Sequence, residues 1–276
     1  MKLFVYMLRR IVTNPYVLFW GVAFISFFVV IGAFVISRDL PNLEWVKQIY
    51  TAAWFGVSVL LSFGAAAVST TIMIYYQTGG LPHLFRFSRL TPAYFLGSLL
   101  LGSVLSTLII GTYMLILVTL LFSYSLKTWI APIDIPLTYL TLALAGVFFS
   151  SLSLILGGLT ARFNRKTSQF VNFIPLILSY LFGYAYLYMD LGKSVYLTPF
   201  NAVELLGISA FTGKEAPLSY ASLYLYGGSS TAPHFPTVSN SLLILNLCLW
   251  SLVLCSASAF LLRRLYLNPV EEGKML

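Results

Sequence analysis

Charge is the scarcest feature of this sequence. Of its 276 residues only 9% are Asp, Glu, Lys or Arg, while 59% are hydrophobic. A soluble domain carries about 25% charged residues. This chain therefore lacks the polar surface needed to face water on all sides, and it reads as an integral membrane protein. Acids and bases are also missing from the interiors of the apolar runs: by the boundaries below, every charged residue falls in a loop or at the end of a run. Ion-coupled carriers and charge-lined channels need ionisable groups inside the membrane, so this absence argues against both. Cysteine is nearly absent. Cys248 and Cys255 lie seven apart on one helix, too far apart to bridge, and read as two small buried apolar residues. The two histidines, His83 and His234, fall in loops on opposite sides of the membrane and cannot share a metal. No glycine-rich phosphate loop with a lysine is present. The chain is expected to hold no catalytic residue, no metal and no cofactor of its own.

What is present is six apolar runs: Tyr16 to Ser37, Thr51 to Tyr76, Pro92 to Tyr124, Pro136 to Thr160, Phe170 to Met189 and Ser239 to Leu262. About 20 residues of helix cross a hydrocarbon core, and each run is long enough. The first continues well past Trp20, so it reads as a retained span rather than a cleaved signal peptide. The predicted fold is an all-α polytopic membrane protein, one transmembrane domain over residues 1–276. Residues 1–15 are expected to form an amphipathic interfacial helix, with Leu3, Phe4, Met7, Leu8 and Ile11 as its apolar stripe. Asn14-Pro15 ends it and starts the first span. Small residues at 64–71, and Pro175 with Asn172 in the fifth run, mark helix contact and a kink, and make these two runs the nearest candidates for packing against a second copy.

The net charge of +8 is explained by where the charges fall, without invoking nucleic acid. Lys2, Arg9, Arg10, Arg86, Arg89, Arg162, Arg165, Lys166, Arg263, Arg264 and Lys274 lie on one side, with Glu271 and Glu272. The other side holds Arg38, Lys47, Lys127, Lys193 and Lys214 against six acids: Asp39, Glu44, Asp134, Asp190, Glu204 and Glu215. The positive-inside rule places the first group, and hence both termini, in the cytoplasm.

Two loop regions carry the functional signal. Residues 77–92 form an inner loop opening on Gly79 and Gly80, which release a helix into a turn. Leu81, Leu84 and Phe85 follow at helical spacing, with Arg86 and Arg89 directed elsewhere. This loop reads either as a docking surface for a soluble partner or as an interfacial loop whose arginines meet lipid phosphate. Residues 190–238 form a long outer region. Its 196–211 stretch is too apolar for an exposed loop and too short to cross. It is expected either to re-enter the outer leaflet or to lie flat upon it. As a re-entrant element, Pro199, Phe200, Glu204 and Leu205 would close the outer mouth, with Glu204 turned to water or into an exit vestibule.

These features together resemble the ABC-2 family of exporter permeases. That family carries a pattern close to E-x-E-x-G-T-L-E-x-L between spans two and three, followed by Pro and then G-K. Tyr75, Gln77, Gly79, Gly80, Leu81, Leu84, Gly97 and Ser98 occupy the corresponding places. Gly79, Leu81, Leu84 and Gly97 match. Tyr75, Gln77 and Pro82 replace the acids, Ser88 the proline and Ser98 the lysine. The resemblance extends over the whole chain: interfacial helix, six spans, coupling loop after span two, outer segment before span six. It implies a permease in the plasma membrane, paired with a second identical or similar permease chain. It further implies two cytoplasmic ATPase subunits that bind ATP and Mg, and export of an amphiphilic or hydrophobic substrate. The coupling residues it implies are Gly79, Gly80, Leu81, Leu84, Phe85, Arg86 and Arg89. A membrane scaffold without transport activity, or a secondary transporter or channel, stays open as the alternative.

Overall fold

The computed structural model describes residues 2–77, 80–160, 163, 165–220 and 236–267. Its helices, in chain order, are α1 (Lys2–Val12), α2 (Val17–Asp39), α3 (Glu44–Gln77), α4 (Leu81–Phe87), α5 (Pro92–Leu126), α6 (Ile135–Thr160), α7 (Arg165–Tyr188), α8 (Pro199–Thr212) and α9 (Asn240–Leu267). Six of these are long and apolar enough to cross a membrane: α2, α3, α5, α6, α7 and α9. They correspond one to one with the six apolar runs. No strand longer than an isolated bridge between Pro217 and Thr237 occurs among the described residues. The chain is a polytopic all-α membrane protein.

α3 is the axis of the bundle. Its most apolar window is 94% buried, against 22% for α9 and 28% for α2 and α7. It packs against α6, α7 and α8. The small residues of the 64–71 stretch make this approach possible. A side chain on Gly64 would strike Ser179 of α7. Gly157 of α6 lies against the carbonyl of Thr71, and the Ser153 hydroxyl donates to the carbonyl of Ala67 at 2.9 Å. The 64–71 stretch is thus consumed inside one chain and is not available as the face for a second copy. Peripheral helices turn rows of large apolar side chains outward, such as Leu101, Leu105, Ile109, Ile116 and Leu120 on α5. Their four- and seven-residue spacing makes one lipid-facing stripe. Cys248 also stands exposed on α9, and Cys255 is half-buried, so they are not the buried pair expected from the sequence.

The first span departs from a plain α-helix. Val17–Ala23 is wound as a π-helix, Phe24–Phe34 as an α-helix and Ile36–Asp39 as a 3₁₀ turn. Asn14 links this span to its neighbours: its side-chain oxygen accepts from Tyr16 N–H at 2.9 Å, and its amide donates to Ser69 of α3 at 2.6 Å. α1 lies along α5, with Met7 against Gly102, which has no side chain to obstruct it. α7 runs continuously through Pro175.

The two ends of the bundle differ. At one end Met7, Ile74, Leu81, Phe85, Phe95, Leu99 and Leu262 share one apolar cluster, which gathers α1, α4 and the last turns of α9. At the other end the loop before α6 pairs with the end of α8: Ile133 N–H and Asp134 N–H donate to the carbonyls of Phe211 and Ala210 at 3.2 and 2.9 Å. α1 and the last turns of α9 therefore sit at the same end of the bundle, as an even number of spans between them requires.

Candidate functional site

α4 is a seven-residue helix with two unlike faces. Leu81 and Phe85, one turn apart, are 1% and 4% exposed. Phe85 meets Phe95 edge to face at 6.0 Å. Leu84 and Phe87 lie on the adjoining face and are 51% and 82% exposed. Phe87 stacks on His83, and Arg86 and Arg89 are exposed beside it. The sequence placed Leu81, Leu84 and Phe85 on one outward stripe. The structure divides them, because the i, i+4 pair closes over the mouths of α5 and α9. Phe87, the most exposed apolar side chain here, was missed. Its spacing of three from Leu84 was the available signal. Gly80 is exposed at the start of the helix, and Gly79 lies outside the described residues.

The second candidate is α8. Thr198 caps it by accepting from Asn201 N–H, and Gly213, at φ +67°, ends it in the left-handed region. All fourteen residues from Pro199 to Thr212, including Phe200, Glu204 and Leu205, are buried. The helix starts deep in the bundle. Phe200 packs against Phe148 and Phe149 of α6 and Phe182 of α7, and Trp250 Nε1 of α9 donates to the carbonyl of Leu197 at 3.2 Å. Trp250 lies ten residues into α9, about 15 Å along its axis, half of a hydrocarbon core of about 30 Å. From there α8 climbs to the 133–134 loop. Its two ends therefore sit at different heights in the bundle.

Glu204 sits at the α3 face of this helix and is 0% exposed. The sequence reading turned it to water; the structure does the opposite. Neither carboxyl oxygen has a hydrogen-bond partner among the described residues. The backbones of α8 and α3 approach closely at Gly56 and Gly207. The side chain of Glu204 reaches the notch at Gly183 of α7, beside Val57 and Leu60 of α3. Burial pushes the Glu204 carboxyl well above the usual carboxylate range, because removing a charge from water without a partner costs more than binding a proton. An acid does therefore lie inside the bundle, on the one apolar stretch that does not span. A cavity of about 260 Å³ adjoins this region between α2, α3 and α7, lined in part by Phe28, Tyr50, Trp54, Val57, Tyr184 and Tyr188.

No group of His, Cys, Asp or Glu among the described residues is placed to hold a metal; His234 lies outside them. No family model matches this chain, and no curated protein matches it.

Proposed function

We propose that this chain is the membrane-spanning subunit of an ATP-driven exporter of the ABC-2 kind, consistent with its six-helix polytopic fold. The observation that carries the reading is α4. It is a short helix fixed to the bundle by Leu81 and Phe85, and it presents Leu84, Arg86 and Phe87 outward, with Arg89 exposed just after it, at the end of the bundle that holds α1 and the last turns of α9. A helix so anchored passes displacement to α5 and α9 directly. In this reading that end is cytoplasmic, and α4 docks on one of two ATPase subunits that supply ATP and Mg chemistry. A second permease chain completes the pathway in the plasma membrane, and lipids cover the outward apolar rows. α8, with Pro199, Phe200, Glu204 and Leu205, closes the outer mouth over an amphiphilic substrate.

The test is purification in mild detergent from the native membrane with identification of co-purifying chains. An ATPase should accompany the wild type and be lost in the Leu84→Asp/Phe87→Asp double variant. A permease that stays active with no ATPase bound overturns the reading. A second reading, a secondary carrier, gains support from one observation, the buried acid Glu204. It requires that the purified chain transport alone in vesicles.

A further inference from the structure

Glu204 is an unexpected occupant of its position. Its neighbours on α8, Val203 and Leu205, are fully buried apolar residues, and a leucine or methionine would satisfy the same packing. Its carboxyl has neither a donor nor an acceptor among the described residues. A buried acid left this way is retained at a cost unless another arrangement of the helix gives it water or a partner. We propose that Glu204 is a proton-binding site, and that release of its proton is coupled to withdrawal of α8 from its seat against α3.

The surroundings leave the proton no other role. The ionisable groups on the elements packed against α8 are few. α3 carries Glu44, Lys47 and Tyr50 in its first two turns and Tyr75 and Tyr76 at its far end. α6 carries Tyr139 alone. α9 carries Cys248 and Cys255 and, at its far end, Arg263, Arg264 and Tyr266. The 192–196 turn carries Lys193, exposed, and Tyr196, whose hydroxyl accepts from Ser239 N–H. On α7 Arg165 and Lys166 lie at the start and Tyr180, Tyr184 and Tyr188 along the length. Tyr186 of α7 is the neighbour of Glu204, and its hydroxyl already donates to the carbonyl of Pro217 at 2.7 Å. The segments against the far end of α8 carry Asp134, Tyr220 and the exposed pair Lys214 and Glu215, the last accepting from the Thr237 hydroxyl. Among the described residues no cation faces the carboxyl to stabilise its charged form in the packed arrangement. In a water-exposed arrangement it ionises in the ordinary range, about pH 4.3.

The two arrangements therefore differ by one proton. The packed one is fully favoured below the ordinary carboxylate range. As pH rises from there towards the value of the packed state, the ratio of packed to withdrawn falls by about tenfold per unit, then levels off. The relevant compartment is the one at the α8 end of the bundle. This holds for an ATP-driven subunit and for a carrier alike, so it does not rest on the function proposed above.

The test uses the full chain in lipid nanodiscs. Protein labelled with ¹³C at glutamate carboxyls is examined by infrared spectroscopy, and the amide exchange of the 199–212 segment is followed against pH with intrinsic exchange chemistry divided out. The wild type should show a protonated glutamate band at neutral pH that Glu204→Gln lacks. Its α8 exchange should rise by up to about tenfold per pH unit above the ordinary carboxylate range and level off where that band fades, while Glu204→Gln stays flat. If Glu204→Gln does not fold, the wild-type band and its coincidence with α8 exchange decide alone. Absence of the band at neutral pH, or a band that fades with no rise in α8 exchange at the pH values leading up to it, overturns the proposal.

Discussion

The main-chain carbonyl oxygen of Glu204 stands 2.7 Å from where a Cβ on Gly56 would lie. Backbone cannot yield as a flexible side chain does, so α8 sits against α3 only because residue 56 has no side chain. Gly56→Ala should unseat α8 or strain it, at about 1–3 kcal/mol. Gly97→Ala is the control, since nothing lies within 4 Å of its Cβ position, and it should be neutral or stabilising by up to about 1 kcal/mol. Thermal unfolding in detergent compares the two. Equal effects would show that the α3–α8 contact is looser than described.

The two faces of α4 should separate in the same assay. Phe85→Ala removes a buried ring from the cluster with Phe95 and should cost about 3–5 kcal/mol. Leu84→Ala, on the exposed face, should stay within about 0.5 kcal/mol. Loss of stability in Leu84→Ala as large as in Phe85→Ala would mean that the helix is seated the other way round.

Orientation is open to direct labelling. In a background lacking Cys248 and Cys255, cysteines at Phe87 and at Trp129 occupy exposed positions at opposite ends of the bundle. With both termini cytoplasmic, a membrane-impermeant reagent added outside intact cells should label position 129 and leave position 87 unmodified. The reverse pattern would invert the chain and place the pH-sensing end of α8 inside.

The spans were legible because length and hydropathy suffice to define them, and because each loop carries charge. α1 was legible for a similar reason: its stripe of Met7 and Ile11 follows helical spacing, and both are buried. What could not be read was which partner each face meets. Leu81 and Leu84 are the same residue type three apart, and only the positions of Phe95 and Leu262 decide that the first turns inward. The 64–71 stretch signals close packing but not whether the neighbour is this chain or another. Glu204 was assigned to water because a carboxylate ordinarily goes there. Its burial follows from the glycines at 56, 183 and 207, which lie far apart in sequence and converge only after folding.

The turn that delivers α8 to mid-depth gives the last prediction. Its carbonyls at Tyr196 and Leu197 are main-chain acceptors in a region where lipid supplies no donor, so the protein must provide one for each. α9 does so: the Asn246 side-chain amide donates to Tyr196 and the Trp250 indole to Leu197. Asn246→Leu with Trp250→Phe leaves an apolar side chain at both positions while removing both donors. Each orphaned carbonyl should cost about 1–3 kcal/mol, and the cheapest escape is for the turn to move out to water, drawing α8 with it. Spin labels placed singly along 200–210 in the wild type should report a steady change of depth from one end of α8 to the other. In the double variant that gradient should flatten, with the labels nearest Phe200 moving furthest. A gradient unchanged by the double variant would mean that the seat of α8 is held by its contacts with α3 and α6, and that the donors on α9 are dispensable.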